Sequence, residues 1–308
     1  MNASSTSNMN SPSNPGTDPA GISQARLLYW SIRRELWENR SIYIAPLAVS
    51  GVILFGFLVS TFHPLFSIPA SSHDPAQHPD VLAKPYDFAA LMLMGTTFIV
   101  AVFYCLDALH GERRDRSILF WKSLPVSDLT AVLSKASIPL VILPLITFAI
   151  TIATQFLMLL LSTAMLAGSG RSVAMLWTQL PLLQMSGMLF YHLLAVHGLW
   201  YAPIYGWLLL VSSWARRAAF LWAALPLFAI GVIEKLAFNT SHFATVLETR
   251  FMGGSEAASS APGSVFMDPV TLRTLGKFLS SPGLWVGLGI TAAFLVVALR
   301  LRRYGEPI

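Results

Sequence analysis

Charge is what this chain has least of. Asp, Glu, Lys and Arg make up 11% of its 308 residues, where a water-soluble domain carries roughly a quarter. A surface so poor in charge excludes water as the main solvent, and a hydrophobic content of 55% with a mean hydropathy of +0.61 points to lipid instead. Cysteine is scarcer still. Cys105, the one present, closes no internal disulfide and builds no multi-cysteine zinc site, and in an apolar run it reads as packing. The pattern of a secretory signal is missing too: residues 1–20, MNASSTSNMNSPSNPGTDPA, have no apolar periodicity and read as a disordered cytoplasmic tail, and the first long apolar run begins near Ile42.

What is there begins with a charged amphipathic segment, Ile22 to Asn39. On a helix, Ile22, Ala25, Leu28, Tyr29, Ile32 and Leu36 gather on one side, with Trp30 and Trp37 beside them, while Arg26, Arg34, Glu35 and Glu38 lie away. Aromatic rings and guanidinium groups settle among lipid headgroups while aliphatic chains enter the acyl boundary, so residues 21–40 read as a membrane-surface helix.

Six apolar runs follow at about 41–62, 86–109, 131–165, 182–213, 218–238 and 283–301, each near or above the roughly 20 residues that cross a bilayer. The third contains Pro139 and Pro144 and the fourth contains 197-HGLWYAPIYG-206, so these two are expected to tilt, kink or break. The fold class is an all-α integral membrane protein, with 41–308 as the six-span domain. Counted on alternate sides, fourteen of the twenty Lys and Arg lie on the side of the amino terminus and six on the other. In the short connections Arg113, Arg114, Arg116 and Lys122 oppose Lys84 and Arg171, and the positive-inside rule makes both termini cytoplasmic. The isoelectric point of about 9.5 has the same origin, attraction to anionic lipid, and calls for no nucleic acid.

One stretch breaks the oily pattern: 111-GERRDRSILFWKSLPVSDL-129, between the second and third spans. Glu112 and Asp115 alternate with Arg113, Arg114 and Arg116; then come Ile118, Leu119, Phe120 and Trp121, and Lys122 closes the run. A short amphipathic helix is the economical reading. Pro125 stops it, and Ser127 or Asp128 then accepts the unpaired N–H groups that open the third span. A loop serving topology alone needs charge but not four consecutive bulky apolar residues, which call for a partner or the lipid interface.

The segment 104-YCLDALHGERRDRSILFWKSLPVSDLTAVLSKA-136 resembles the first cytoplasmic loop of ABC-2 type permeases, the membrane subunits of ATP-binding-cassette transporters, in which an acidic-basic run leads into a Leu-Pro-Val/Ile-Ser turn. The six spans, the interfacial segment and a long fifth-to-sixth connection fit as well. The resemblance implies a coupling loop at about 110–128, in which Glu112 to Ser123 docks into a separate ATPase subunit. It implies an elbow helix at 21–40 carrying Arg26, Trp30, Arg33, Arg34 and Trp37, and a gate-like external connection at 239–282. It also implies a second permease copy, a location in the plasma (bacterial inner) membrane, and export. ATP and Mg²⁺ then belong to the partner, since this chain has no phosphate-binding loop: before 276-GKF-278 Thr271 stands where the first glycine belongs, and Phe278 replaces Ser or Thr.

Other candidate chemistry is thin. His63, His73 and His78 with Asp74 and Asp80 are types that bind transition metals, but five prolines break any regular face there, and the segment reads as a polar loop. Tyr191, His192, His197, Tyr201 and Tyr205 place polar atoms at membrane depth, for helix packing or for substrate contact. Asp107, Glu234 and Lys235 stand near span ends, where charge reaches water. Gly283 and Gly287 form a small-xxx-small pair. The rival readings are an ion-driven carrier, disfavoured because no span centre holds a convincing Asp, Glu or Lys; an intramembrane enzyme, for which no nucleophile motif or metal-ligand pair is present; and a transporter-like sensor acting with an ATPase in envelope-stress signalling.

Overall fold

Long apolar stretches with almost no charge leave the backbone only one way to satisfy itself in lipid, and the chain takes it. The computed structural model describes residues 23–62, 79–115, 127–168, 177, 182–251 and 272–304, and among these the regular structure is helical throughout. The order is α1 (Gln24–Glu38), α2 (Ser41–Phe62), α3 (Pro79–Ala108), the short α4 (His110–Arg114), α5 (Asp128–Ser137), α6 (Leu143–Gly168), α7 (Leu182–Tyr191), α8 (Ala202–Trp214), α9 (Ala219–Phe238), α10 (His242–Phe251), α11 (Leu272–Ser280) and α12 (Pro282–Tyr304). Among the described residues six continuous stretches are long and apolar enough to span a membrane: Ser41–Ser60, Ala83–Arg114, Asp128–Ala167, Leu182–Trp200, Ala219–Phe238 and Pro282–Tyr304. The protein is therefore membrane-embedded.

The core forms where α3, α5 and α8 meet. Ile42, Ala101, Cys105, Ile138, Leu143, Tyr205 and Leu209 are almost fully buried there. α8 and α12 pack along much of their lengths, helped by Gly206, whose missing side chain lets Thr291 approach. α2 lies against α3 and α6. α9 stands at the edge, with Phe220, Leu225, Phe228, Ile233 and Leu236 all exposed, as suits a helix whose surroundings are acyl chains.

Two interruptions have identifiable causes. The third span passes through a π-helical turn, Ile138–Ile142, in which Leu143 N–H donates to the Ile138 carbonyl. Pro144 cannot supply the N–H that an α-helix would bring to the Leu140 carbonyl, so the chain widens by one residue around it. The fourth span carries a second π segment, His192–Trp200, and bends at Tyr201 before α8 restarts with Pro203 in its first turn. The two π segments pack on each other. At their contact Gly198 lies so close that a methyl group built on it would stand 2.5 Å from the Leu140 carbonyl oxygen. Glycine is required there by proximity rather than by backbone conformation.

Candidate functional site

The site is built from charges that come from four separate parts of the chain. α1 lies across one end of the bundle, against α5. Ile32 and Leu36 pack on the bundle core, so this part of the apolar stripe faces protein rather than the acyl boundary. That contact carries Glu35 inward until only 2% of it is exposed. Desolvating a carboxylate costs several kcal/mol unless it is paired and hydrogen-bonded, and here both conditions are met. Lys135 Nζ, on α5, donates to Glu35 Oε1 at 2.9 Å, and the Tyr104 hydroxyl, on α3, donates to Oε2 at 2.9 Å.

Lys135 is shared. Its ammonium also lies 3.2 Å from Oε1 of Glu112, on α4. Oε2 of Glu112 accepts from the Arg302 guanidinium of α12, whose Nε reaches Asp128 Oδ1 at 3.3 Å. Arg34 stands at the rim, 4.0 Å from Glu112 and 2.9 Å from Glu38. Glu35, Glu112, Lys135 and Arg302 are all buried. Acidic and basic groups thus alternate through a water-poor space, and each cation that touches Glu112 comes from a different helix. A cavity of about 220 Å³ adjoins the network, bordered by Leu27, Trp30 and Ser31 of α1 and by Ala131 and Ser134 of α5.

α4 is held from its other side by α8. Leu109 and His110 backbone N–H groups both donate to Ser212 Oγ at 2.9 Å, His110 Nδ1–H donates to the Ala215 carbonyl at 3.0 Å, and Arg113 donates to the Ser213 carbonyl at 2.7 Å. The entry to the charged stretch is therefore tied to α1, α5, α8 and α12 at once. Through these contacts a displacement of residues 109–113 is felt by four other helices.

Of the residues singled out by sequence, Glu112 is in the network and Arg113 is bonded to α8, while Arg114 and Asp115 are exposed and pair with each other at 3.1 Å. Arg116, Ile118, Leu119, Phe120, Trp121 and Lys122 lie outside the described residues, as do His63, His73 and His78. Ser127 rather than Asp128 caps the third span, its Oγ accepting from Thr130 N–H at 3.1 Å. On α1, Arg34 faces the network. Arg26, Trp30, Arg33 and Trp37 form the exposed face, with the Arg33 guanidinium 5.1 Å from the Trp30 ring and 5.5 Å from that of Trp37. Asp107 is exposed and makes no ion pair among the described residues. Glu35, Tyr104, Lys135 and Arg302 were not expected in a site. Lys135 carried the signal, an ammonium close before the apolar run Ile138–Ile142, a placement that needs a partner.

Set against protein-family models, curated proteins and solved structures, the chain matches none.

The polar groups of the fourth span make intrachain contacts. Tyr205 hydroxyl and His197 Nε2 lie 2.9 Å apart, His192 Nδ1–H donates to the Met188 carbonyl at 3.0 Å, and Tyr201 hydroxyl donates to the Phe251 carbonyl at 3.0 Å. Phe98 packs edge-on against His197, Tyr201 and Phe251. At the opposite end from the network, Arg250 lies 4.3 Å from the Trp200 ring and donates to the Gly283 carbonyl at 2.8 Å. Its guanidinium fills the space a side chain on Gly287 would need, and Trp200 faces Gly283, so this glycine pair serves contacts within the chain. Glu234 anchors α10 by accepting from the His242 and Phe243 N–H groups and from Thr240.

Proposed function

We propose that this chain is a permease subunit of an ATP-binding-cassette transporter of the ABC-2 type, moving a hydrophobic or amphiphilic substrate outward with energy from a separate ATPase subunit. The resemblance of residues 104–136 to that family's first cytoplasmic loop supports it, together with six helices long and apolar enough to span a membrane and an amphipathic α1 packed against α5. The observation that carries the reading is the position of Glu112. It opens the charged stretch and is buried between Lys135 and Arg302, so a force applied beyond it reaches the third and sixth spans directly.

In this mechanism both termini and the stretch 110–128 are cytoplasmic, and two permease copies form the pathway. Ile118, Leu119, Phe120 and Trp121 anchor in a groove of the ATPase, while Arg113, Arg114, Arg116 and Lys122 orient the docking. Closure of the ATPases around ATP and Mg²⁺ moves the docked segment. The ion network passes that displacement to α1, α5 and α12, biasing inward against outward states of the spans. Ala or Asp at positions 118–121 is expected to abolish substrate-stimulated ATP hydrolysis while leaving membrane insertion intact. Normal stimulation in a well-folded variant removes the assignment.

A further inference from the structure

A second feature lies on the membrane-facing side, away from the ion network. α2 and α3 leave between them an apolar slot of about 530 Å³. Val49, Val52, Gly56 and Ser60 line it from α2, at the i, i+3, i+7, i+11 spacing of one helix face, and Pro85, Phe88 and Met92 line it from α3. Met158 of α6, buried to 1% exposure, adjoins it from behind. The slot opens laterally, since Val52 and Phe88 are 71% and 57% exposed.

Its length and place are specific. From Val49 to Ser60 the rise of a helix is about 16 Å, half of the roughly 30 Å hydrocarbon core. It occupies the half of α2 remote from the ion network, so it spans one leaflet. Lys84, exposed, adjoins the lining residue Pro85 and stands about one turn before Phe88, towards the start of α3. A one-leaflet apolar slot that ends at a cation fits a single acyl chain with an anionic headgroup. Gly56 borders the open space of the slot: a Cβ there would meet no atom within 4 Å, so a large side chain at this position has room to project into it.

We propose that this slot holds one acyl chain of an anionic phospholipid, with Lys84 beside the phosphate. The proposal does not depend on the transport reading. The test is native mass spectrometry of the full chain, first as purified in mild detergent, then delipidated and titrated with phosphatidylglycerol or phosphatidylcholine. The wild type is expected to retain one phospholipid and to prefer phosphatidylglycerol by about fivefold, the contribution of one lysine near an anionic headgroup. Gly56→Phe fills the slot and abolishes retention, with Gly56→Leu as the smaller alternative where the ring disturbs the fold. Lys84→Gln keeps the lipid and loses the preference. Equal retention by a Gly56 variant that elutes like the wild type, no discrimination between the two lipids by the wild type, or a lipid-free dimer with a second copy seated on this face would each overturn it.

Discussion

Glu35 and Lys135 are 100 positions apart in the chain and 2.9 Å apart in the fold, both nearly sealed from solvent. A buried pair of this kind is a poor source of net stability but is costly to break, because the surviving partner is left charged and unpaired. Lys135→Ala strands Glu35 and half-strands Glu112. It is expected to lower stability by about 3–5 kcal/mol, whereas Arg114→Ala, which removes an exposed pair, leaves it nearly unchanged. Thermal unfolding in detergent, followed by fluorescence size exclusion, compares the two. Equal losses would mean that the network is not a unit.

The contact between the two π segments makes a second, separate prediction. A methyl on Gly198 has nowhere to go except into the Leu140 carbonyl, and overpacking of this kind costs about 1–3 kcal/mol. Gly198→Ala is therefore destabilising. Gly51→Ala, in a helix position with open space around it, is neutral or stabilising, since alanine is the better helix former. The same unfolding assay ranks them, and the reverse order would show that the third and fourth spans do not meet as described.

Glu234 accepts the N–H groups that open α10. Glu234→Ala is expected to loosen the start of α10, as loss of a helix cap does. Hydrogen exchange should rise at His242 and Phe243 while α8 and α12 keep their protection. Exchange unchanged at those two amides would remove the capping role.

α1 exposes Trp30, Arg33 and Trp37. A spin label at Trp37→Cys in vesicles is expected at headgroup depth, partly accessible to both oxygen and a polar nickel chelate; Cys105 is buried and does not compete. Full exposure of the label to the nickel chelate alone would place this face in water.

The spans were legible because lipid leaves the chain little choice: about 20 contiguous apolar residues and internal backbone pairing are obligatory. The prolines and the segment 197–206 marked the irregular places for equally local reasons, and so did Ser127 at the start of the third span. The ion network was not legible. Glu112 and Arg302 are separated by 190 positions, and nothing in the neighbourhood of either names the other. The orientation of α1 escaped for a different reason. A helical period tells which residues share a face, but lipid and protein interior are both apolar, so Ile32 and Leu36 fit either until Glu35 is seen paired with Lys135.

The most direct test of the transport reading is a pull-down of a tagged copy from detergent-solubilised native membranes, with mass spectrometry and an ATPase assay of the eluate. A stoichiometric ATPase is expected, lost when Ile118, Leu119, Phe120 and Trp121 are made polar. A clean chain free of ATPase, under conditions that preserve known membrane complexes, would contradict the account and leave 111–129 as a loop that sets topology alone.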